Sequence, residues 1–269
     1  MEQTKRKGIK YLTGTNQISD KEFVKFLLSI PERKLTNQNS SISEKLDGFG
    51  FRFGYDGRFF VESSRSGPVY ESGVFNSYTE KKFGKKNAIS EAYESLFENL
   101  GRNEKIQEIL KNHQNEKLVC ECLYTHLGTV EQERIRFVKT WYDIDKLGTF
   151  ATFGFIKIVD ENGNEIQSNM FQQLQNISDD NIKFVDSTLK EYDICLNCEL
   201  KEFDNILETY GRQTILSMLQ SKKKASCLTQ LDSVRKIVEW KLKQMLKYGI
   251  LGDVEGFVVK KDDTIFKIL

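Results

Sequence analysis

The sequence predicts one mixed domain of class α/β or α+β, and three observations predict it. Period-two runs of aromatic and branched residues lie near both ends of the chain, amphipathic helical runs lie between them, and no Pro-, Gly- or Ser-rich linker divides the two. At 269 residues the chain is long enough to bury a sizeable core, and nothing repeats at a fixed period. Residues 1–42 read as a helical and looped lead-in, and residues 43–269 as the body of the same domain, 1–269.

The elements follow in order. Residues 20–29 (DKEFVKFLLS) place apolar side chains at helical spacing behind an acidic first turn, and Pro31 with the polar TNQNSS ends that helix. From Ser43 to Glu71 the period becomes two: Phe49, Phe51 and Phe53 alternate with small or polar residues, Tyr55-Asp56-Gly57 turns, and Arg58–Ser63 returns, a β-hairpin. Residues 87–112 are amphipathic at helical spacing, with an interruption at Gly101. LVCECLY, FVKTWYD and TFATFGFIKIV are three strands, the last ending in a turn at Asp160–Gly163. Helices follow around 203–221 and 232–248, the second opened by Asp232 and Ser233 and closed by Gly249. GFVVKKDDTIFKIL finishes the chain as two strands about a turn at Asp262-Asp263.

Charge excludes some functions and leaves others. With 40 basic and 39 acidic residues the formal net charge is +1, so no global field draws the protein to nucleic acid or to a membrane. A nucleic-acid contact must come from a local patch, such as Lys222–Lys224 or the Arg235, Lys236, Lys241, Lys243 and Lys247 of the last helix, although such runs are more often solvated faces. No apolar run approaches the roughly 18–20 residues of a spanning helix, and the N-terminus lacks a signal-peptide core. A soluble protein is expected, cytoplasmic or in the host cytoplasm if viral. Five cysteines, Cys120, Cys122, Cys195, Cys198 and Cys227, are too few and too irregular for a disulfide scaffold. Cys195-x-x-Cys198 with Cys120 and Cys122 could be written as a thiolate zinc site. The plainer reading packs Cys120 and Cys122 as small apolar residues on the strand face opposite Glu121. His113 and His126 have no second ligand at metal spacing and read as surface or loop residues.

The stretch SEKLDGFGFRF raises the question of chemistry. Extended, it would put Lys45 and Asp47 on one face, and Gly48 would let a ligand approach the backbone. A lysine is a nucleophile only in its neutral form, which burial or neighbouring positive charge favours. If its target were a nucleotide phosphorus, further cations, acidic residues for the metal or the ribose and an aromatic platform for the base would be needed.

Residues of those types occur in order. EKLDG at 44–48 resembles motif I of the covalent nucleotidyltransferases, the superfamily of ATP-dependent RNA and DNA ligases and mRNA-capping guanylyltransferases. Ser64-Arg65-Ser66-Gly67 resembles the SRxG element, VCECL around Glu121 motif III, and TFATFGFIKI the aromatic motif IIIa. Val254-Glu255-Gly256-Phe257-Val258-Val259-Lys260 resembles motif IV, and Ile265-Phe266-Lys267 motif V. Six elements in the family's order span residues 44–267. The resemblance implies an α+β nucleotidyltransferase (adenylation) domain, ATP-grasp-like, with two antiparallel sheets flanked by helices; no OB-fold is expected, a departure from DNA ligases and capping enzymes, which place one after motif V.

It also implies roles. Lys45 would attack the α-phosphorus of ATP and become a lysyl-AMP; Asp47 would orient the pocket beside it; Lys267 would ease loss of the lysine proton by like-charge proximity and bind the α-phosphate. Glu255 would hold Mg²⁺ or Mn²⁺, Glu121 a ribose hydroxyl, Arg65 the ribose or an incoming 5′-phosphate, and Lys260 a further phosphate. Glu44 and Arg52 complete the nucleotide-binding set. Phe155 is the expected stacking residue and Phe153 the second, while Ile156 holds that place in a strict alignment.

Two residues depart from the pattern. The position five beyond the nucleophile, an arginine or asparagine in ligases, is Gly50, with Arg52 the nearest arginine. Leu269 stands where motif V places a second lysine. The expected activity is an ATP-dependent ligase, RNA favoured, of the small phage type, acting as a monomer on nicked or broken RNA or DNA ends, with a separate partner or a further C-terminal domain possible. The alternatives are a DNA ligase, a GTP-dependent capping guanylyltransferase, and a nucleotide- or nucleic-acid-binding relic without joining activity.

Overall fold

The computed structural model describes residues 10–14, 16–30, 34–36, 41–63, 66–83, 88–125, 142–189, 193–195, 201–218, 231–244, 249–252, 255–261 and 264–269. The fold is α+β, with open sheets flanked by helices. The chain forms two compact units: residues 1–45 with 188–269, and residues 46–187 inserted between them. The sequence reads as one domain because the chain enters the second unit at Leu46 and leaves it at Ser187 without any linker composition to mark the passage.

In the first unit, helix α1 (Asp20–Ser29) opens on a capping box in which Ser19 and Glu22 satisfy each other's backbone N–H groups. Strands β1 (Lys34–Thr36) and β8 (Asp193–Cys195) form a two-stranded sheet. β2 (Ser41–Lys45), β9 (Gly256–Lys261) and β10 (Thr264–Ile268) form a three-stranded antiparallel sheet in the order β10-β9-β2. Alternation turns Ile42, Phe257, Val259, Phe266 and Ile268 inward, against Phe23, Phe26 and Leu27 of α1 and Val234, Val238 and Leu242 of α8 (Leu231–Lys243). Phe26 meets Phe266 edge to face at 4.9 Å. The run expected as one helix over 203–221 is two, α6 (Lys201–Tyr210) and α7 (Arg212–Met218), parted by Gly211 at φ 73°. Arg235, expected on a basic face, is instead buried: it donates to Leu12 O and Asp20 and lies over the Phe23 ring.

The second unit is a five-stranded sheet, order β4-β3-β5-β6-β7, built from β3 (Phe49–Tyr55), β4 (Phe59–Ser63), β5 (Lys117–Tyr124), β6 (Ala151–Val159) and β7 (Ile182–Val185). The expected α+β fold with two sheets flanked by helices is found; among the described residues the short β1–β8 ladder adds to it, and every pair is antiparallel except β6 with β7. One face carries Phe51, Phe53, Leu118, Cys120, Cys122, Phe153 and Phe184 into a core shared with Leu96 and Leu100 of α3 (Ala88–Arg102), Ile106 and Leu110 of α4 (Glu104–Asn112), and Phe171 and Leu174 of α5 (Met170–Asn176). Helix α2 (Val74–Phe83) precedes α3, and its short, weakly amphipathic run gave no sequence signal. The break expected at Gly101 falls at Asn103, whose side chain accepts the Ile106 N–H and starts α4; Gly101 stays helical.

Two further expectations need correction or placement. SEKLDGFGFRF is not one strand: β2 ends at Lys45, residues 46–48 bend, and β3 begins in a different sheet, so Lys45 and Asp47 do not alternate along a common strand. The strand expected at FVKTWYD lies outside the described residues save for Tyr142 and Asp143. No described helix is long and apolar enough to cross a membrane.

Candidate functional site

The first unit presents the nucleophile candidate. On the three-stranded sheet, Lys45 pairs with Gly256, Ser41 with Lys260, and Lys267 with Val258. Period two then places Lys45, Lys260 and Lys267 on one face, opposite the core face. Glu255, at the entry to β9, contacts the Lys45 ammonium through its carboxylate, and the two side chains are 17% and 28% exposed. Lys45 pairs with Gly256, which brings Glu255 beside the end of β2, and a Cβ on Gly256 would lie 2.0 Å from the Ile268 carbonyl oxygen, so the close approach of β9 to β10 there requires glycine. A face with three lysines and one carboxylate suits an anion together with a hard cation.

Glu44 belongs elsewhere, which corrects its place in the nucleotide-binding set. One residue from Lys45, it points to the core face, is 3% exposed, and accepts the Ile250 N–H at 2.7 Å. It fixes the segment at Ile250, and strand alternation denies it the face of Lys45.

The second unit presents an acid flanked by glycines. Glu121 on β5 pairs with Gly50 on one side and Gly154 on the other, so the rung across three strands carries a single side chain. Gly48 lies against that rung, since a Cβ on it would be 2.3 Å from Cys122 O and 3.2 Å from Glu121 Cγ. Leu46 covers Gly154, where a Cβ would come 2.1 Å from a Leu46 methyl. The Asp47 N–H donates to the Tyr142 hydroxyl at 2.7 Å, so residues 46–48 are anchored beside Glu121. Tyr142, which sequence reasoning missed, left no signal in a run read only as a strand.

The aromatic platform is corrected. Phe153 pairs with Cys122 and Phe155 with Cys120, both on the face opposite Glu121. Phe153 has 0% exposure and stacks on Phe184 at 5.3 Å, while Phe155 stacks on Phe171 at 4.3 Å. A β-bulge between Val119 and Cys120 leaves Ile156 as the extra residue, 52% exposed.

Farther along the Glu121 face, Arg52 donates to Glu62 at 2.8 Å and Lys117 donates to the other oxygen of the same carboxylate at 2.5 Å. Arg65, Cys198, Cys227 and His126 lie outside the described residues. Burial raises the Cys120 and Cys122 thiols well above their usual range, with Glu121 adding to the effect, so both are held as neutral thiols, poor metal ligands. His113, expected on the surface or in a loop, caps the end of α4 and is packed, with Nδ1 3.1 Å from Glu116 and Nε2 3.2 Å from Gln173.

No family model matches the chain, and no curated protein matches it. Solved structures of an RNA ligase from Naegleria gruberi are similar to it. An apo point mutant gives a TM-score of 0.45 at 16% identity, covering 96% of this chain and 55% of that one. A mutant with ATP and Mn gives 0.44 at 14%, covering 96% and 56%. The ligase with PPi gives 0.41 at 15%, covering 100% of this chain and 61% of that one. The chain therefore spans somewhat over half the length of the ligase to which it is similar.

Proposed function

We propose that the chain forms lysyl-AMP from ATP as part of a polynucleotide ligase, with RNA ends favoured over DNA ends. The observation that carries this reading is the face shared by Lys45, Lys260 and Lys267, with Glu255 touching Lys45. An amine, two further cations for phosphate and a cation-binding acid project from adjacent strands, at positions that follow the family's motif order.

The chemistry these residues support runs in three transfers. Lys45, released from Glu255 and deprotonated, attacks the α-phosphorus; a P–N bond forms and pyrophosphate departs with the electron pair of the broken P–O bond. A strand 5′-phosphate then takes the AMP, breaking P–N and forming a phosphoanhydride. A 3′-hydroxyl attacks the 5′-phosphorus, joins the strands and releases AMP. Lys260 and Lys267 hold phosphate oxygens, Glu121, flanked by glycines, accepts from a ribose hydroxyl, and Asp47 keeps the loop after Lys45 in place. Arg65 retains its expected contact with the ribose or the 5′-phosphate. Exposed Ile156 offers the base an apolar contact in place of the two phenylalanines. The Glu255 carboxylate, a hard oxygen donor, would hold Mg²⁺ or Mn²⁺, which supplies charge neutralisation at the transferring phosphate.

The test is incubation with Mg²⁺ and α-labelled ATP or GTP. The expected label comes from ATP, survives denaturation and alkali, is released by acid as a P–N bond is, and is lost in Lys45→Ala. Label from GTP alone would turn the reading to a capping enzyme. No label from either nucleotide would reject lysine nucleotidylation. Label without joining of nicked RNA or DNA would leave an adenylating relic or a missing partner, consistent with Leu269 in place of the second motif V lysine.

A further inference from the structure

We propose that Arg52 and Lys117, aimed by Glu62, form a phosphate-binding subsite on the sheet face that carries Glu121. The inference deepens the ligase reading and rests on it for the identity of the molecule that brings the phosphate. Gly50 and Arg52 are two residues apart on β3 and so share a face; Gly50 pairs with Glu121, and Arg52 pairs with Val119 on β5 and Glu62 on β4. Gly50 is bare, and the next position on the same face carries a guanidinium.

The guanidinium is held in place. Glu62 is only 7% exposed, and both its oxygens are engaged, Oε1 by Arg52 Nη1 at 2.8 Å and Oε2 by Lys117 Nζ at 2.5 Å. Within this trio one carboxylate faces two cations, so Glu62 fixes both heads in place while offsetting the charge of only one of them. A pair alone would have satisfied Glu62; the second cation is in excess of what its burial requires. Gly54 pairs with Lys117 on one side and Phe60 on the other, and a Cβ on it would come 2.5 Å from Glu116 O and 2.9 Å from the Phe60 ring, so the bare position is where that ring packs. The Lys117 ammonium lies 5.7 Å from the centre of that ring.

The donors remain available. Arg52 carries five N–H donors and gives one to Glu62 among the described residues; Lys117 carries three. Their side chains are 28% and 18% exposed, so the stems are packed while the heads reach solvent. A planar fork beside an ammonium, both pinned by a carboxylate, matches a tetrahedral phosphate with two or three oxygens to satisfy. The phosphate comes either from the pyrophosphate part of ATP or from the 5′-phosphate of a strand.

The experiment titrates the full chain by calorimetry with inorganic pyrophosphate, and separately with 5′-phosphorylated and 5′-hydroxyl forms of one short oligoribonucleotide. Arg52→Ala and Lys117→Ala should each weaken binding of one phosphate ligand about tenfold or more, the size of a lost charge-assisted contact. The 5′-hydroxyl strand should bind as before and the melting midpoints should stay near wild type. Glu62→Gln should lose less, and Arg52→Lys should recover part of the affinity, neither of which a merely structural ion cluster would produce. Loss confined to pyrophosphate assigns the subsite to ATP; loss confined to the 5′-phosphorylated strand assigns it to the strand end. Wild type binding neither ligand, or both alanine variants within about twofold of wild type, overturns the proposal. A wild-type protein that binds phosphate through Arg52 yet takes no label on Lys45 overturns the ligase reading and leaves the subsite standing.

Discussion

Replacing Phe153 by alanine decides which face of β6 can serve a nucleotide. The ring has 0% exposure, stacks on Phe184 at 5.3 Å and 20°, and lies 5.5 Å and 5.7 Å from the rings of Phe51 and Phe53. Truncation removes the transfer energy of a full aromatic side chain and leaves a cavity lined by three rings that cannot collapse together, a loss of about 3–5 kcal/mol. Each broken ring pair accounts for about 0.5–1.5 kcal/mol of that. Against a typical total of about 5–15 kcal/mol this is a large fraction. Urea unfolding followed by circular dichroism should show the fall directly, while Ile156→Ala, at a 52% exposed position, should stay within about 0.5 kcal/mol of wild type. If Phe153→Ala costs under 1 kcal/mol yet weakens ATP binding, Phe153 is a stacking residue after all and the face assignment of β6 is wrong.

Three further outcomes follow from single contacts. Burial pushes the Glu22 carboxyl up, but hydrogen bonds from Lys10 and Ser19 and the Lys10 charge outweigh it and lower it from 4.5 to about 2. The folded value lies below the unfolded one, so this stability is present above about pH 4.5 and lost as the pH falls towards 2. With 34% of the side chain exposed, screening holds it to the order of 1 kcal/mol, and Glu22→Gln should flatten that part of the acid limb; an unchanged limb rejects the account. Asp20→Ala resembles a surface change, since the side chain is 28% exposed, yet it strips the counter-charge from Arg235 at 1% exposure. A loss of roughly 3 kcal/mol is expected in chemical denaturation, and a loss under 1 kcal/mol would sink the reasoning. Gly256→Ala puts a Cβ 2.0 Å from the Ile268 oxygen and 3.0 Å from its carbon, backbone atoms that can yield only by parting β9 from β10. A lower melting midpoint, worth about 1–3 kcal/mol, and loss of Lys45 labelling are expected together.

Local signals carried much of the fold. α1 was legible because its acidic first turn and apolar stripe point to the same ten residues. The β3–β4 hairpin was legible because Phe49, Phe51 and Phe53 keep strict period two up to a glycine turn. α2 and β7 were not, since the one is barely amphipathic and the other is four residues long and pairs in parallel with β6 across a crossover through α5. For the site, motif order could nominate Lys45, Glu121, Glu255 and Lys267, but not faces. Phe153 and Phe155 have the residue type a base platform needs. Only the register of β6 on β5 shows that they share a side with Cys120 and Cys122 rather than with Glu121. Glu62 and Lys117 were invisible for the same reason: they are 55 residues apart, and nothing local links them.

Strand alternation also separates the two acids that adjoin Lys45, one in sequence and one in space. Glu44 adjoins it in sequence but points away, and by accepting the Ile250 N–H it fastens the segment that leads back towards β9. Glu255 lies 210 residues away yet touches the ammonium, because Gly256 pairs with Lys45 and sets Glu255 beside the end of β2. On the ligase proposal Glu255 then has two claimants, the Lys45 ammonium and a divalent cation. An ammonium in contact with a carboxylate has no lone pair to offer, so Lys45 must leave Glu255 before it can attack. The same departure frees the carboxylate when phosphate charge begins to accumulate. Glu255 stands just before β9 rather than inside its ladder, so its side chain can change partners without breaking a hydrogen bond between strands.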